Sequence, residues 1–404
     1  MSAVTHWVNP GALRQFRLRA GLAIDDVEKE SRKLSRAFYA PVDVDELRRW
    51  EQGRASPLLE HLETLAEIYR CPVGGFFLDA APEASLPLSF RGLTPQKQQR
   101  LSATTRRSLL RFMELAEWFG TAVEEYELPW VVKMQRIEGT PPDPDSIANE
   151  QRHRLGFSER VRGAWRSPDD GFDWWRRRLE EQGIFCFELK LEPYEVRGAS
   201  MWWRERYPFI LVNRQDAEAA TGRLFTLLHE YAHLMLPGQE GVACDFLGTG
   251  RANNPEPWAN RVAARMLVSR EELLKRLEQS QGVVRPQVWS DRQLDELRMP
   301  FFASRDVVAV LLEEIGAAPA GFYRTKHEEW EQCYGKRKPF GRGRKLKKWQ
   351  QKMRELGYTA IRTLVALDER DSLPALDAAH LLDTKVTRVP GLIHTLRAAV
   401  IGTK

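Results

Sequence analysis

The stretch Leu224-Phe225-Thr226-Leu227-Leu228-His229-Glu230-Tyr231-Ala232-His233-Leu234-Met235-Leu236 is apolar on nearly every side of a helix, so it predicts a buried one. Three ionisable residues interrupt it: His229, Glu230 and His233. Burying such groups without partners costs several kcal/mol, so each must find one. His229 and His233 are one helical turn apart, which puts both imidazoles on one face, where they can share a cation. Glu230 sits about 100° further round the axis, near such an ion but not competing for it. This is the H-E-x-x-H arrangement, in which two histidines hold zinc and the glutamate is a general base. The competing reading is a pair of hydrogen-bonded core histidines. The apolar helix and the strand-like run before it, residues 208–213, favour the metal.

A catalytic zinc takes a third protein ligand and keeps a position for water. A histidine continuation of the motif would need Gly at 236 and His at 239, where this chain has Leu236 and Gln239. A glutamate on a later helix is the remaining option. Asn254 and Pro255 suit a helix cap and first turn, with Ala259, Val262, Ala263, Met266 and Leu267 as the apolar face. Glu256 falls in that first turn and is the preferred third ligand, ahead of Glu240 and Asp245, which follow His233 more closely. Its plainer reading is a carboxylate favoured by the helix dipole. Asn260, one turn on and on the same face, could orient the carboxylate or a ligand imidazole.

The surrounding residues 166–318 predict a helix over 172–181 and strands over 184–189, 197–203 and 207–212. These form a small antiparallel sheet beside the metal helix. An edge strand of such a sheet can pair with an extended peptide. Ser269 and Glu272 form a capping box for the next helix, and residues 294–299 and 304–316 suit a second helix-turn-helix-like unit packed on the site.

His229-Glu230-Tyr231-Ala232-His233 followed by Glu256, Ala259-Asn260, Ala263-Ala264 and Met266-Leu267 resembles the ImmA/IrrE metallopeptidase family. Gly198-Ala199-Ser200, Ile210, Val212-Asn213 and Phe225-Thr226-Leu227 resemble its usual approach to the metal helix. The departures are Val262, where an aromatic is common, and Val268-Ser269, where Met-Pro is typical. The resemblance implies a minimal zincin fold and one catalytic Zn2+ held by His229, His233 and Glu256, with Glu230 as general base. The oxyanion donor stays open among Tyr231, Arg223 and Arg251.

Residues 1–82 predict short helices near 10–20, 24–30, 44–52 and 58–69, with Gly21 and Gly53 as stops. Leu47-Arg48-Arg49-Trp50-Glu51-Gln52-Gly53-Arg54-Ala55-Ser56-Pro57, with Leu62, Leu65-Ala66, Pro72 and Phe76-Phe77-Leu78 after it, resembles the Xre/Cro-type helix-turn-helix family. ImmA/IrrE relatives often carry such a domain on the same chain, so the two resemblances support each other. The reading helix nevertheless opens on Asp43, Asp45 and Glu46, which repel phosphate. Arg48 and Arg49 are its candidate phosphate contacts. DNA binding and docking of a protein partner both remain open.

Residues 83–165 suit an extended arm and an amphipathic connector helix over 107–126, with His153 exposed. Residues 319–404 suit a basic segment followed by helices, with His380 and His394 packed in the core. The charge of +5 is local: between Lys336 and Arg354 there are ten Lys or Arg and no Asp or Glu, leaving 5 − 10 = −5 elsewhere. Arg342, Arg344, Lys345, Lys347 and Lys348 could meet nucleic-acid phosphates, or the run is a solvated linker.

The expected fold class is α+β, mostly helical. Four scattered cysteines and no long apolar span suggest a reducing, cytoplasmic setting without a membrane partner. The expected function is a zinc endopeptidase acting on a regulatory protein, a helix-turn-helix repressor or antitoxin-like regulator. The alternatives are a DNA-binding regulator with a secondary metal site, and a structural metal domain. The oligomeric state is left open.

Overall fold

The computed structural model describes residues 8–34, 40–80, 101–128, 131–192, 195–215, 219–236, 243–244, 256–281, 285–334 and 346–402. The first unit contains helices α1 (Pro10–Arg19), α2 (Ile24–Leu34), α3 (Val44–Glu51) and α4 (Leu59–Tyr69), then a 3-10 turn, Val73–Phe77. The Asn9 side chain caps α1 by accepting from the Gly11 and Ala12 N–H groups. Leu13, Phe16, Leu47, Trp50, Leu65, Tyr69 and Phe76 fill the core. Glu51 accepts two hydrogen bonds from Arg17, at 2.6 and 2.8 Å, which ties α3 to α1. The Trp50-Glu51 pair thus serves packing and a buried charge pair at once.

The connector is α5 (Ala103–Glu125), capped by Ser102, then α6 (Pro144–Arg154) and α7 (Glu159–Gly163). Helix α5 starts earlier than its apolar stripe suggests because Ser102 accepts from the Thr105 N–H. Helix α8 (Pro168–Glu180) opens with a Ser167/Asp170 capping box. Strands β1 (Phe185–Leu189), β2 (Gly198–Trp203) and β3 (Tyr207–Asn213) follow, then α9 (Ala219–Met235) and the short β4 (Ala243–Cys244). The chain continues through α10 (Glu256–Leu267), α11 (Arg270–Gln281), α12 (Asp291–Arg298), α13 (Arg305–Glu314) and α14 (Phe322–Tyr334). It closes with α15 (Lys348–Glu369), α16 (Ala375–Leu381) and α17 (Val389–Ile401). Among the described residues no helix is long and apolar enough to cross a membrane.

The sheet is mixed rather than antiparallel. Its order is β1-β3-β2-β4, with β1 parallel to β3 and β2 antiparallel to β3 and β4. The expected antiparallel sheet does not form, because β3 lies between β1 and β2 and runs parallel to β1. Strand β3 pairs with five residues of β1 on one side and six of β2 on the other, which only the central place allows.

Both faces of the sheet are covered. Cys186, Ile210 and Val212 point to the layer that holds α8, α9 and α10. Phe185, Phe187, Phe209, Leu211, Ala199 and Met201 point the other way, into a core made with α5, α15, α16 and α17. The C-terminal helices are therefore packed into the same body as the sheet. Helix α15 breaks at Gly357 (φ 80°, ψ 170°), a conformation that favours glycine. A Cβ there would overlap Glu180 Oε1 and come within 2.7 Å of the Cys186 carbonyl oxygen. Glu180 accepts from the Tyr358 N–H at 2.9 Å and so starts the second half of the helix.

His380 and His394 are not core residues, contrary to their periodicity. His380 is half-buried and ion-paired with Glu67 and Glu114, and His394 is exposed beside the apolar stripe of Ile393, Leu396 and Val400. His153 is exposed, as expected.

Candidate metal centre

Helix α9 is buried on all sides by Leu224, Leu227, Leu228, Tyr231 and Ala232. His229 and Glu230 are 0 % exposed and His233 is 2 % exposed. The two imidazole Nε2 atoms lie 3.0 Å apart. Helix α10 begins at Glu256 and brings its carboxylate to them, Oε2 at 3.2 Å from His229 Nε2 and Oε1 at 3.3 Å from His233 Nε2. Ala259, Val262, Ala263 and Met266 are buried along the adjoining face of α10 and fix its approach. Burial would raise the Glu256 carboxyl, but hydrogen bonds to His229 and His233 outweigh it and hold the group well below the usual carboxylate range.

The donor set suits one zinc. Metal bonds of about 2.0–2.2 Å at tetrahedral angles put ligand atoms roughly 3.3 Å apart, close to the separations here. Two imidazole nitrogens and a carboxylate also make up a catalytic-type ligand set with room for water. Among the described residues these three form the only such grouping. Glu240, Asp245 and the Asn254 cap lie outside the described residues.

Residues 179–309 match the family model Peptidase_M78, the IrrE N-terminal-like domain. The matched segment holds the sheet, α9, α10 and the three donors. It supports the ImmA/IrrE family and implies a peptidase of metal-dependent type. No curated protein matches the chain, and no solved structure does.

Glu230 is held by a strand. The Ser200 hydroxyl donates to Glu230 Oε2 at 2.6 Å, and Ser200 is 2 % exposed. A Cβ at Gly198 would lie 2.8 Å from Glu230 Oε1. Strand alternation puts Gly198, Ser200 and Trp202 on one face of β2, and the Trp202 indole N–H donates to the Leu234 carbonyl at 3.1 Å. Ser200 appeared in the sequence only as part of the approach run. Its partner is 30 residues away and no local pattern links them.

The remaining candidates disperse. Asn260 is exposed and no side-chain hydrogen bond ties it to the three donors, so it does not orient them as expected. Having the helical spacing was insufficient, because α10 turns that side to solvent. Tyr231 donates to Gln151 Oε1 at 2.7 Å, and burial pushes its hydroxyl pKa up, so it is engaged away from the donors. Arg223 is committed to Glu188, at 3.0 Å, and to Asp169. Glu188 is 1 % exposed and also accepts from Arg176 at 2.9 Å and Arg354 at 3.2 Å. That carboxylate joins α8, α9 and α15 and offsets the cost of burying the arginines. Arg251 lies outside the described residues.

Of the candidate phosphate contacts, Arg48 pairs with Asp45 at 3.0 Å and Arg49 is exposed. Asp43 caps α3, so its acidity serves the helix start. Lys347 is exposed, and Lys348 donates to the Asp383 carbonyl at 2.8 Å. Arg342, Arg344 and Lys345 lie outside the described residues.

Proposed function

We propose that the protein is a zinc-dependent endopeptidase that cleaves a regulatory protein. A helix-turn-helix repressor or antitoxin-like regulator, in a stress, mobile-element or toxin–antitoxin type circuit, is the substrate class. The observation that carries this reading is the convergence of His229, His233 and Glu256 beside a buried Glu230, within the M78 segment.

His229, His233 and Glu256 would hold the zinc. When bound, zinc supplies Lewis acidity toward a scissile carbonyl and lowers the pKa of water. Glu230 takes a proton from water and delivers it to the leaving amine. His229 and His233 are buried, and the Glu256 side chain, 24 % exposed, leaves the donors open to water from its side. An extended substrate pairs in this reading with the sheet edge beyond β2, where β4 among the described residues pairs only with Ala199 and Ser200. The β1 edge is less suited, because Arg176 donates to the Cys186 carbonyl and Gly357 packs against it.

Residues 8–80 act in this proposal as a helix-turn-helix-type docking unit for a protein rather than an operator reader. The first turn of α3 carries Asp45 and Glu46, and Arg48 is already paired with Asp45.

Comparing protein N-termini in cells that express the wild type or Glu230→Gln tests the reading. New N-termini within one regulator are expected with the wild type alone. Zinc content should be equal in both proteins. Identical cuts with Glu230→Gln would show that the mechanism is wrong.

A further inference from the structure

We infer that Ser200 is a positioning residue for Glu230: its hydroxyl, on the helix-facing side of β2, fixes the orientation of the buried carboxylate beside the metal ligands. The inference rests on the proposed reading of Glu230 as general base and deepens it.

The geometry is built from three contacts of alternate β2 residues with one helix. Gly198 lacks the side chain that would crowd Glu230 Oε1, since a Cβ would stand 2.8 Å from it. Ser200 donates to Oε2 at 2.6 Å. Trp202 donates to the Leu234 carbonyl at 3.1 Å, one turn further along α9. The first contact leaves space, the second supplies a donor and the third sets the spacing of strand and helix.

The physical reason for such a cradle is conformational. A glutamate side chain has several rotamers, and freezing them costs free energy unless contacts compensate. A general base must lie within hydrogen-bond reach of the proton it takes, so a carboxylate free to swing is a poor one. Ser200 is nearly fully buried, where a charge-assisted hydrogen bond of 2.6 Å is little weakened by solvent. An alanine at 200 would remove the donor and keep the strand.

Cobalt(II) substitution gives a test that does not depend on knowing the substrate. Co2+ is added to the metal-free full-length protein. The visible d–d spectrum and the Co2+ dissociation constant are then measured for the wild type, Ser200→Ala, Glu230→Gln and the double variant. Bound Co2+ at one per chain with a shifted d–d envelope in Glu230→Gln is the result the general-base reading expects. The positioning role expects Ser200→Ala to shift the envelope in the same direction, with affinity within about threefold of the wild type. It also expects the double variant to match Glu230→Gln alone. Ser200→Gly, which removes the same hydroxyl, serves as the second variant if Ser200→Ala does not fold. A shift in Glu230→Gln with a wild-type spectrum in Ser200→Ala, or in Ser200→Gly when that variant stands in, overturns the role of Ser200 and leaves the reading intact. No cobalt uptake by the wild type, or no shift in Glu230→Gln, overturns both.

Discussion

His380 Nδ1 lies 3.1 Å from Glu67 Oε2, so a C-terminal helix is ion-paired directly to the N-terminal helical unit. The same imidazole contacts Glu114 on α5, and Arg70 and Arg111 complete the cluster. Segments more than 250 residues apart in the chain therefore meet at one charged junction.

This junction gives a pH dependence whose sign can be worked out. Hydrogen bonds to Glu114 and Glu67 outweigh burial and raise the His380 pKa from 6.5 to about 9. Its stabilising contribution is full below pH 6.5 and is lost as pH rises through about 9. Burial alone would raise Glu114, but the His380 hydrogen bond and the Arg111 charge lower it from 4.5 to about 2. That contribution is full above pH 4.5 and is lost as pH falls toward about 2. The junction should be firmest between pH 4.5 and 6.5. Melting temperature against pH, measured for the wild type and His380→Gln, should show the largest difference in that window and a smaller one at pH 9.

His229→Ala and Glu256→Ala should each lose or greatly weaken zinc binding, because either change leaves two protein donors. Metal analysis after dialysis is the check, with about one zinc per wild-type chain as reference. Retention of full zinc in Glu256→Ala would exclude it as the third ligand.

Gly357→Ala should destabilise the fold by about 3 kcal/mol or more, combining left-handed backbone strain with overlap at Glu180. Urea unfolding of the two proteins measures this directly. A loss below about 0.5 kcal/mol would mean that the break in α15 is not fixed by this contact.

A chain ending after residue 345 should not yield a stable monomer. It would expose the sheet face carrying Phe185, Phe187, Phe209 and Leu211, which α15 and α17 now cover. Expression of residues 1–345, followed by size-exclusion chromatography, should give aggregate or no soluble protein.

Much of the site was legible from local pattern. His229 and His233 share a face because a helix repeats every 3.6 residues, and the apolar residues around them imply burial. Glu256 was readable from its place in the first turn of an apolar-faced helix, although nothing local could say where that helix docks. Asn260 had the right spacing and the wrong exposure. His394 lay next to an apolar stripe without being in it.

The sequence by itself determined the buried helix α9, the motif within it, the Ser269/Glu272 capping box and three strands. Each of these is set by residues within a few turns of one another. Tertiary structure decided the order of the strands, the Ser200 contact with Glu230, the Glu188 cluster and the His380 junction. It also decided that the C-terminal helices form one wall of the sheet's core. Those outcomes depend on which distant surfaces exclude water together. Buried charges then take the partners that this packing brings within reach, and no periodicity along the chain records the choice.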